Sequence, residues 1–348
     1  MKKQPTLAIF CVVFLFIIGV FLWLESKPQW IERLYSIRLY PKIFVVRQAY
    51  FDLFPFSVGD LIYLLLFLWL INQLKNLFRS SFRQGLYNLL AGSAILFLWF
   101  KISWGLNYNR LSLHTKMSGT KTYSEEDLIQ MTTFFANTSN LLYQKINPTD
   151  STAVKINDTP HELIQRIVKD PVFDDQNRKV KISLFSLPLL YMGFTGYLNP
   201  LTLEAQVNSH IPSLSLPLTI THEMAHQDGY AAEDEANYIG FVQLYNHSDA
   251  DLQFAANLFG YRYCMAELYK INPKSAFSIR QSLHPGVQRN ITEIKNFWRA
   301  HKNPFQPLFK QSYDAYLKAN RQSKGIQSYN GVVALMVQNF KLINSFKQ

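Results

Sequence analysis

The stretch T-I-T-H-E-M-A-H-Q-D-G-Y-A-A-E-D-E-A-N-Y-I-G-F, residues 219–241, decides how the large C-terminal part of the chain is built. His222 and His226 are four residues apart, so a helix places both imidazoles on one face, one turn apart. Gly229 stands where a left-handed glycine commonly ends a helix and reverses the chain. The sequence therefore predicts a helix carrying both histidines, a turn at Gly229 and a second helix that packs back on the first.

The second predicted helix begins near Glu233 and presents one face of small and polar residues. Glu233, Ala236, Asn237 and Gly240 follow the spacing i, i+3, i+4, i+7 and share that face. The small Ala236 and Gly240 allow close packing against the histidine helix, which brings Glu233 to the histidines and lets Asn237 hydrogen-bond one of them. Glu235 lies near the opposite face and is the less favoured alternative to Glu233.

These residue types predict a zinc site. Two histidines on one helical face can share one Zn²⁺, and Glu233 would complete a set of three protein ligands with a fourth position open. Glu223, beside the first histidine, is placed to act on a zinc-polarised water instead of binding the metal. We therefore expect His222, His226 and Glu233 as metal ligands and Glu223 as the catalytic base. By contrast, His161-Glu162 lacks a second histidine at this spacing and reads as a solvated helix start.

The H-E-M-A-H run resembles zincin metallopeptidases. Glu233 followed by Ala236-Asn237 resembles the gluzincin arrangement, in which a downstream helix supplies a glutamate ligand. The spacing departs from that pattern, because only six residues separate His226 from Glu233. Gly229 resembles the turn of metzincins, but the third histidine of that pattern falls on Ala232. These departures from the known patterns affect the identity of the third metal ligand more than the presence of a metal.

The longer pattern, with three apolar spans before the motif and Asn107-Tyr108 after the third, is similar to an uncharacterised family of bacterial membrane proteins, a domain of unknown function. The resemblance covers nearly the whole chain. The zincin resemblance, together with the membrane spans, implies a membrane-anchored zinc metallopeptidase that hydrolyses a peptide or protein substrate. The alternative is a catalytically inactive zinc-binding membrane protein with a structural or sensory role. A third reading is a membrane assembly factor without a metal.

Three long apolar blocks lie within the first 106 residues. The first, Leu7 to Leu24, is too long and too bulky at its end for a cleaved signal peptide, so it predicts an uncleaved anchor. The second and third predicted spans cover residues 58–74 and 86–106, with Trp69, Trp99 and Trp104 near their ends. The segment between the first two spans is treated as a loop.

The net charge of +11 is concentrated in this region. Residues 1–120 hold 13 Lys and Arg against 4 Asp and Glu, which leaves only +2 for the rest of the chain. The basic residues thus flank apolar spans and face a lipid bilayer, and the large domain has no basic stripe for nucleic acid. Lys2 and Lys3 favour a cytoplasmic N-terminus. That orientation places the C-terminal domain outside the cytoplasm of a multi-pass protein of the bacterial inner membrane.

The expected fold is mainly α: a three-helix transmembrane region over residues 1–106, followed by an α+β zincin-like domain with a small sheet over residues 107–348. Ser124 with Asp127 predicts a helix N-cap, for a helix that runs to about Ile146. Strands are predicted at 180–185 and 203–208, the latter as an edge strand that pairs with a peptide substrate. Weaker candidates for an oxyanion donor, for which packing is the favoured role, are Tyr313, Tyr316, Tyr329 and His284. The oligomeric state is left open.

Overall fold

The computed structural model describes residues 7–79, 82–117, 122–147, 152–170 and 178–345. The chain is mainly helical with one small sheet, which confirms the predicted fold class. It divides into two compact units. Unit 1 comprises Met1–Leu111 and Asn199–Glu204, and unit 2 comprises Ser112–Leu198 and Ala205–Gln348.

Unit 1 is built from long apolar helices. Among the described residues, Val58–Phe78 and Gln84–Ser103 are long and apolar enough to cross a membrane. A third candidate is the bent pair Val12–Glu25 and Pro28–Phe51, whose axes differ by 86°. The helices are α1 (Leu7–Glu25), α2 (Pro28–Trp30), α3 (Tyr40–Phe51), α4 (Val58–Arg79) and α5 (Phe82–Ser103); a π-helical stretch (Ile31–Leu39) joins α2 to α3, and a 3₁₀ turn (Gly105–Asn109) follows α5.

The apolar blocks are all helical, but their boundaries differ from the predicted spans: α4 continues to Arg79, beyond residue 74, and α5 already begins at Phe82. Helix α5, which contains the third predicted span, ends at Ser103 and not at residue 106. Trp104 leaves the helical conformation, and a 3₁₀ turn follows. The connection between the first two predicted spans is helical from Pro28 to Phe51, a helix that the sequence did not predict. Pro28 stands in the first turn of α2, where its missing N–H costs nothing, whereas Pro41 lies within the continuous helical segment, where the π-helical stretch passes into α3.

In the described residues of unit 2, eleven α-helices, a 3₁₀ stretch (Gly325–Gly331) and three short strands surround a large hydrophobic core. Helices α7 and α12 pack along each other, and Gly260 of α12 leaves the space that the ring of Phe135 fills. The helices are α6 (Leu113–Lys116), α7 (Glu125–Ile146), α8 (Pro160–Val168), α9 (Ser186–Met192), α10 (Leu216–Gln227), α11 (Glu233–Tyr245), α12 (Ala250–Ile271), α13 (Pro273–Gln281), α14 (Pro285–Ala300), α15 (Gln306–Ala319) and α16 (Val332–Ser345), and the strands are β1 (Val180–Ile182), β2 (Gly196–Leu198) and β3 (Ala205–Val207).

Helix starts in unit 2 follow the local sequence signals. The hydroxyl of Ser124 accepts a hydrogen bond from the backbone N–H of Asp127, whose carboxylate accepts one from the N–H of Ser124. This reciprocal cap confirms the predicted start of α7, which ends at Ile146 as expected. Thr159 and Glu162 form the same cap at α8, so the His161-Glu162 pair is a solvated helix start.

The sheet has the order β1-β3-β2, with β1 parallel and β2 antiparallel to β3. The prediction that residues 203–208 form an edge strand is therefore wrong: β3 is the central, fully buried strand. Both backbone edges of β3 are paired with a neighbouring strand. The parallel neighbour β1 requires a crossover connection, and the antiparallel neighbour β2 is joined to β3 by a hairpin. The outer strand on the hairpin side is β2, which is only partly buried.

Helices α10 and α11 carry His222, His226 and Glu233. All of α10 is buried, and it ends before Gly229, which adopts the predicted left-handed conformation with φ of 79°. The N–H of Tyr230 then bonds the carbonyl of Ala225, which closes the reversal. A Cβ on Gly240 of α11 would lie 2.8 Å from the backbone nitrogen of His222. The predicted close packing of the two helices is thus confirmed.

Candidate functional site

Two imidazoles and one carboxylate meet between α10 and α11. The Nε2 atoms of His222 and His226 lie 3.2 and 3.6 Å from Oε2 of Glu233, and the three atoms are within 4.8 Å of one another. All three side chains are buried. The helical spacing of the histidines and the turn at Gly229 produce this convergence, so a cluster that could hold a metal ion forms from twelve consecutive residues.

The other ring nitrogen of each histidine is turned to a hydrogen-bond acceptor. Nδ1 of His226 lies 2.6 Å from the carbonyl oxygen of Tyr230, and Nδ1 of His222 lies 2.9 Å from Oδ1 of Asn237. A carbonyl oxygen cannot donate, so Nδ1 of His226 carries a proton. In the neutral ring, Nε2 then presents a lone pair toward Glu233. The predicted hydrogen bond between Asn237 and a histidine is present.

Glu233 is held in place from the C-terminal part of unit 2. The hydroxyl of Tyr313 in α15 donates a hydrogen bond of 2.7 Å to Oε1 of Glu233. The side chain of Gln322 accepts from the backbone N–H of Glu233 at 3.5 Å and donates to the carbonyl of Ala231 at 3.3 Å. These contacts direct the other carboxylate oxygen, Oε2, toward the histidines.

Glu235 points to a different partner. Its Oε1 accepts a hydrogen bond of 2.8 Å from the backbone N–H of Leu113, the first residue of α6. A carboxylate at that position caps a helix start, where the unpaired N–H groups favour negative charge. Helix α11 therefore turns Glu233 toward the histidines and Glu235 toward Leu113, which is the orientation that the sequence predicted.

Glu223 lies outside the three-residue cluster and beside strand β2. Its carboxylate is buried, its Oε2 atom has no hydrogen-bond partner, and Oε1 lies 2.9 Å from where a Cβ on Gly196 would be. Burial raises the pKa of Glu223 to about 8. A buried carboxyl with such a pKa exchanges its proton near neutral pH, which suits a general acid or base.

The charges of the cluster are strongly coupled. Burial disfavours the charged form of His226, but the hydrogen bond and charge of Glu233 outweigh it and raise the pKa of His226 to about 9. Burial lowers the pKa of His222. Burial alone would raise the pKa of Glu233, yet its contacts with both histidines hold that pKa well below the usual range. Without a metal, the cluster therefore holds an ionised Glu233, a charged His226 and a neutral His222.

The weaker candidates from the sequence are dispersed. Tyr313 contacts Glu233, and Tyr316 stacks on Tyr313 with ring centroids 6.0 Å apart. His284 caps the start of α14 and stacks on Tyr143, so its role is packing, as expected. The side chain of Tyr329 lies outside the described residues.

The donor set fits a divalent cation. Three buried donor atoms converge, and Nε2 of His226 presents its lone pair once that ring has lost its proton. Each imidazole is fixed by a hydrogen bond on its far side, as metal-binding histidines commonly are. Imidazole nitrogen and carboxylate oxygen together suit first-row divalent metals and zinc. The group His222, His226 and Glu233 could thus hold a metal ion.

Comparison with known proteins identifies the family. The family described as "Protein of unknown function (DUF3810)" matches residues 35–337, so the chain belongs to that family. No curated protein matches the chain, and no solved structure matches it.

The first prediction separates the two glutamates. Glu233→Ala should lose bound metal, because it removes one of three convergent donors, whereas Glu235→Ala should keep it, because Glu235 bonds Leu113. Metal content of the purified variants, measured by mass spectrometry alongside the wild type, decides this. Equal loss in both variants, or loss in Glu235→Ala alone, would contradict the assignment.

The second prediction concerns Tyr313. Tyr313→Phe removes the hydroxyl that holds Glu233 but keeps the ring, so the metal dissociation constant should rise on the order of tenfold or more. Tyr316→Phe, one turn further along α15, is the matched control and should change it less than twofold. Competition with a chelator of known affinity measures both constants. Identical constants for the two variants would show that the Tyr313 hydroxyl does not support the site.

The third prediction is a pH dependence of metal binding. With a pKa of about 9, His226 is protonated at pH 7 and must lose that proton to bind a metal. Apparent affinity should therefore rise about tenfold per pH unit between pH 7 and 9 if one proton leaves. Calorimetric titration in two buffers of different ionisation enthalpy counts the released protons. Binding with no proton release at pH 7 would show that His226 is neutral before the metal arrives.

Proposed function

We propose that this member of the DUF3810 family is a membrane-anchored, zinc-dependent metallopeptidase. The observation that carries the proposal is the buried convergence of His222, His226 and Glu233, with the separate buried carboxylate of Glu223 one residue after the first histidine. A purely structural metal site has no need of a second carboxylate that is not a ligand and has a pKa near neutrality.

Zinc is the metal that this donor set suits best. Two histidines and one glutamate are a ligand combination of catalytic zinc sites, where three protein ligands leave one position open. A closed structural zinc site uses four ligands and is commonly rich in cysteine. The described residues supply three donors, and the one described cysteine of unit 2, Cys264, is buried in the core away from this group.

When bound, zinc would act as a Lewis acid that makes water more acidic and polarises the scissile carbonyl. Glu223 accepts the proton of the attacking water at its carboxylate and delivers it to the leaving amine. The positive charge of a bound zinc ion would favour the ionised form of Glu223. The pKa of Glu223 would then fall below the value that burial alone sets. Tyr313 and Gln322 hold Glu233, and Asn237 and Tyr230 fix the two imidazoles, so the ligands need not reorganise during the reaction.

The substrate in this proposal is a peptide or protein that adds to the outer strand β2. This strand passes directly beside Glu223, since Gly196 has no side chain to separate the two. An extended peptide that pairs with an outer strand gains main-chain hydrogen bonds without a requirement for particular side chains. Its scissile bond would then lie near the carboxylate that activates water.

The candidate membrane spans support a membrane location for the proposed activity. Two or three candidate spans in unit 1 associate the protein with a bilayer. We assign residues 1–106 as the anchor and residues 107–348 as the peptidase domain. The basic residues before α1 favour a cytoplasmic N-terminus. In this orientation, a protein of the bacterial inner membrane carries its C-terminal domain on the extracytoplasmic side.

The fourth prediction tests catalysis separately from metal binding. Glu223→Gln keeps the size of the side chain but cannot accept a proton, so it should retain zinc and the fold while turnover falls about 10²-fold or more. Glu126→Gln, an exposed position in the first turn of α7, is the matched control and should match the wild type. Zinc content, thermal stability and cleavage of a pool of envelope proteins are measured in parallel for all three.

The outcomes separate the alternatives. If wild type and Glu223→Gln bind zinc equally and neither cleaves any protein in the pool, a structural or sensory zinc protein is the better description. If Glu223→Gln cleaves as fast as the wild type, the base is another residue. Absence of bound zinc from the wild type, after exposure to the metal, would overturn the zinc proposal as a whole.

A further inference from the structure

The helical segment 28–51 runs nearly at right angles to the helix before it. The axes of Val12–Glu25 and Pro28–Phe51 differ by 86°, with the break at residues 26 and 27. Membrane helices are tilted by only about 20° from the bilayer normal on average. If α1 crosses the bilayer, a helix at 86° to it lies close to the membrane plane. The segment has 24 residues and is roughly 35 Å long.

Contacts within unit 1 place this segment at the level where α5 ends. Its polar side chains bond residues at the end of α5 and in the turn that follows: Glu32 with Arg110, Tyr35 with the carbonyl of Ile102, Ser36 with Asn107, and Arg47 with Ser103. The end of α1 lies at the same level, because Glu25 pairs with Lys101 at 2.6 Å. A helix that descended into the bilayer would meet the middle of α4 or α5 instead.

Other positions of the segment expose large apolar side chains. Trp30, Leu34, Ile37, Val45 and Tyr50 are each more than half exposed, between 52% and 66%. So much apolar surface on one helix marks an interaction with a membrane or a partner protein. Trp30 also packs edge-to-face on Trp23 at the end of α1, and tryptophan is the residue enriched at membrane interfaces.

The charges exposed along the same segment are basic. Arg33 stands beside Leu34, Arg38 beside Ile37, and Lys42 follows one turn later; all three are exposed. The acidic residue of the segment, Glu32, is buried and paired with Arg110. Exposed apolar side chains next to exposed bases suit a surface of acyl chains beneath anionic headgroups.

We propose that residues 28–51 form an interfacial helix that lies in the plane of the membrane and binds anionic phospholipids. Leu34, Ile37 and Val45 enter the boundary between headgroups and acyl chains, while Arg33, Arg38 and Lys42 contact lipid phosphates. The bilayer is favoured over a protein partner because the segment is continuous with α1 and level with the ends of the spans. This assignment is independent of the proposed peptidase activity.

Depth measurements on the full-length chain test the orientation. A nitroxide is attached to Leu34→Cys, Ile37→Cys or Val45→Cys in nanodiscs of phosphatidylcholine with phosphatidylglycerol. In parallel it is attached to Arg33→Cys, Arg38→Cys or Lys42→Cys in the same nanodiscs. Labelled wild type gives the background from Cys11 and Cys264. Oxygen should relax labels at 34, 37 and 45 about equally and more strongly than at 33, 38 and 42, where a water-soluble nickel complex should dominate.

Two results would overturn the orientation. A depth that increases steadily from position 34 to 45 indicates a re-entrant or broken span. Equal access of the nickel complex to all six positions indicates that the segment lies in water or on a protein partner. Variants that fail to insert are recognised by their elution from size-exclusion chromatography, and the remaining positions still report the depth profile.

Lipid selectivity tests the basic face. Native mass spectrometry of full-length protein from mixed phosphatidylcholine and phosphatidylglycerol should show at least a twofold preference for phosphatidylglycerol. The triple variant Arg33→Gln, Arg38→Gln and Lys42→Gln should lose it. The control Lys274→Gln, Lys295→Gln and Lys302→Gln changes the charge equally at exposed positions of unit 2 and should retain it. Equal preference in wild type and the first triple variant, or loss in the control alone, would overturn anionic lipid binding by this helix.

Discussion

Helices α10 and α11 approach so closely that no side chain fits between Gly240 and the backbone of His222. The rest of the site depends on this approach. It brings the first turn of α11 against the last turns of α10, so Glu233 reaches both histidines and Asn237 reaches one of them. Thr221 reinforces the contact by donating a hydrogen bond to the carbonyl of Gly240. Any side chain at position 240 would separate the ligands before it disturbed the surrounding core.

The arrangement is electrostatically costly when no cation is present. Four ionisable side chains are buried together, and burial opposes the charged form of every one of them. Ionisation of Glu233 is retained because two imidazoles face it. Proteins rarely bury such a group unless it is paired or coordinates a metal, since an isolated buried charge costs several kcal/mol. The hydrogen bonds from Tyr313 and Gln322 offset part of that cost and fix the direction of the carboxylate.

The local spacing of residues was sufficient to predict much of the candidate site from the sequence. The histidine pair, the left-handed Gly229 and the phase of α11 each depend on residues within one or two helical turns. Non-local relationships were not predictable in this way. Tyr313 was a weak candidate because its contact with Glu233 depends on how α15 packs 80 residues later. The central position of β3 in the sheet was not predicted, because nothing in the sequence of β1 or β3 specifies the crossover between them. The helix of residues 28–51 was missed because its buried and exposed positions do not follow one simple period.

The support of Glu233 by residues far along the chain also affects the order of events during synthesis. Proteins emerge from the ribosome N-terminus first, so the apolar helices and the histidine motif are made before α15. Tyr313 and Gln322 follow Glu233 by 80 and 89 residues. A nascent chain therefore presents the two histidines while the carboxylate of Glu233 is still unoriented. The cluster of His222, His226 and Glu233 is complete only when nearly the whole polypeptide has been made and folded, so a cation would meet an unfinished site during most of translation.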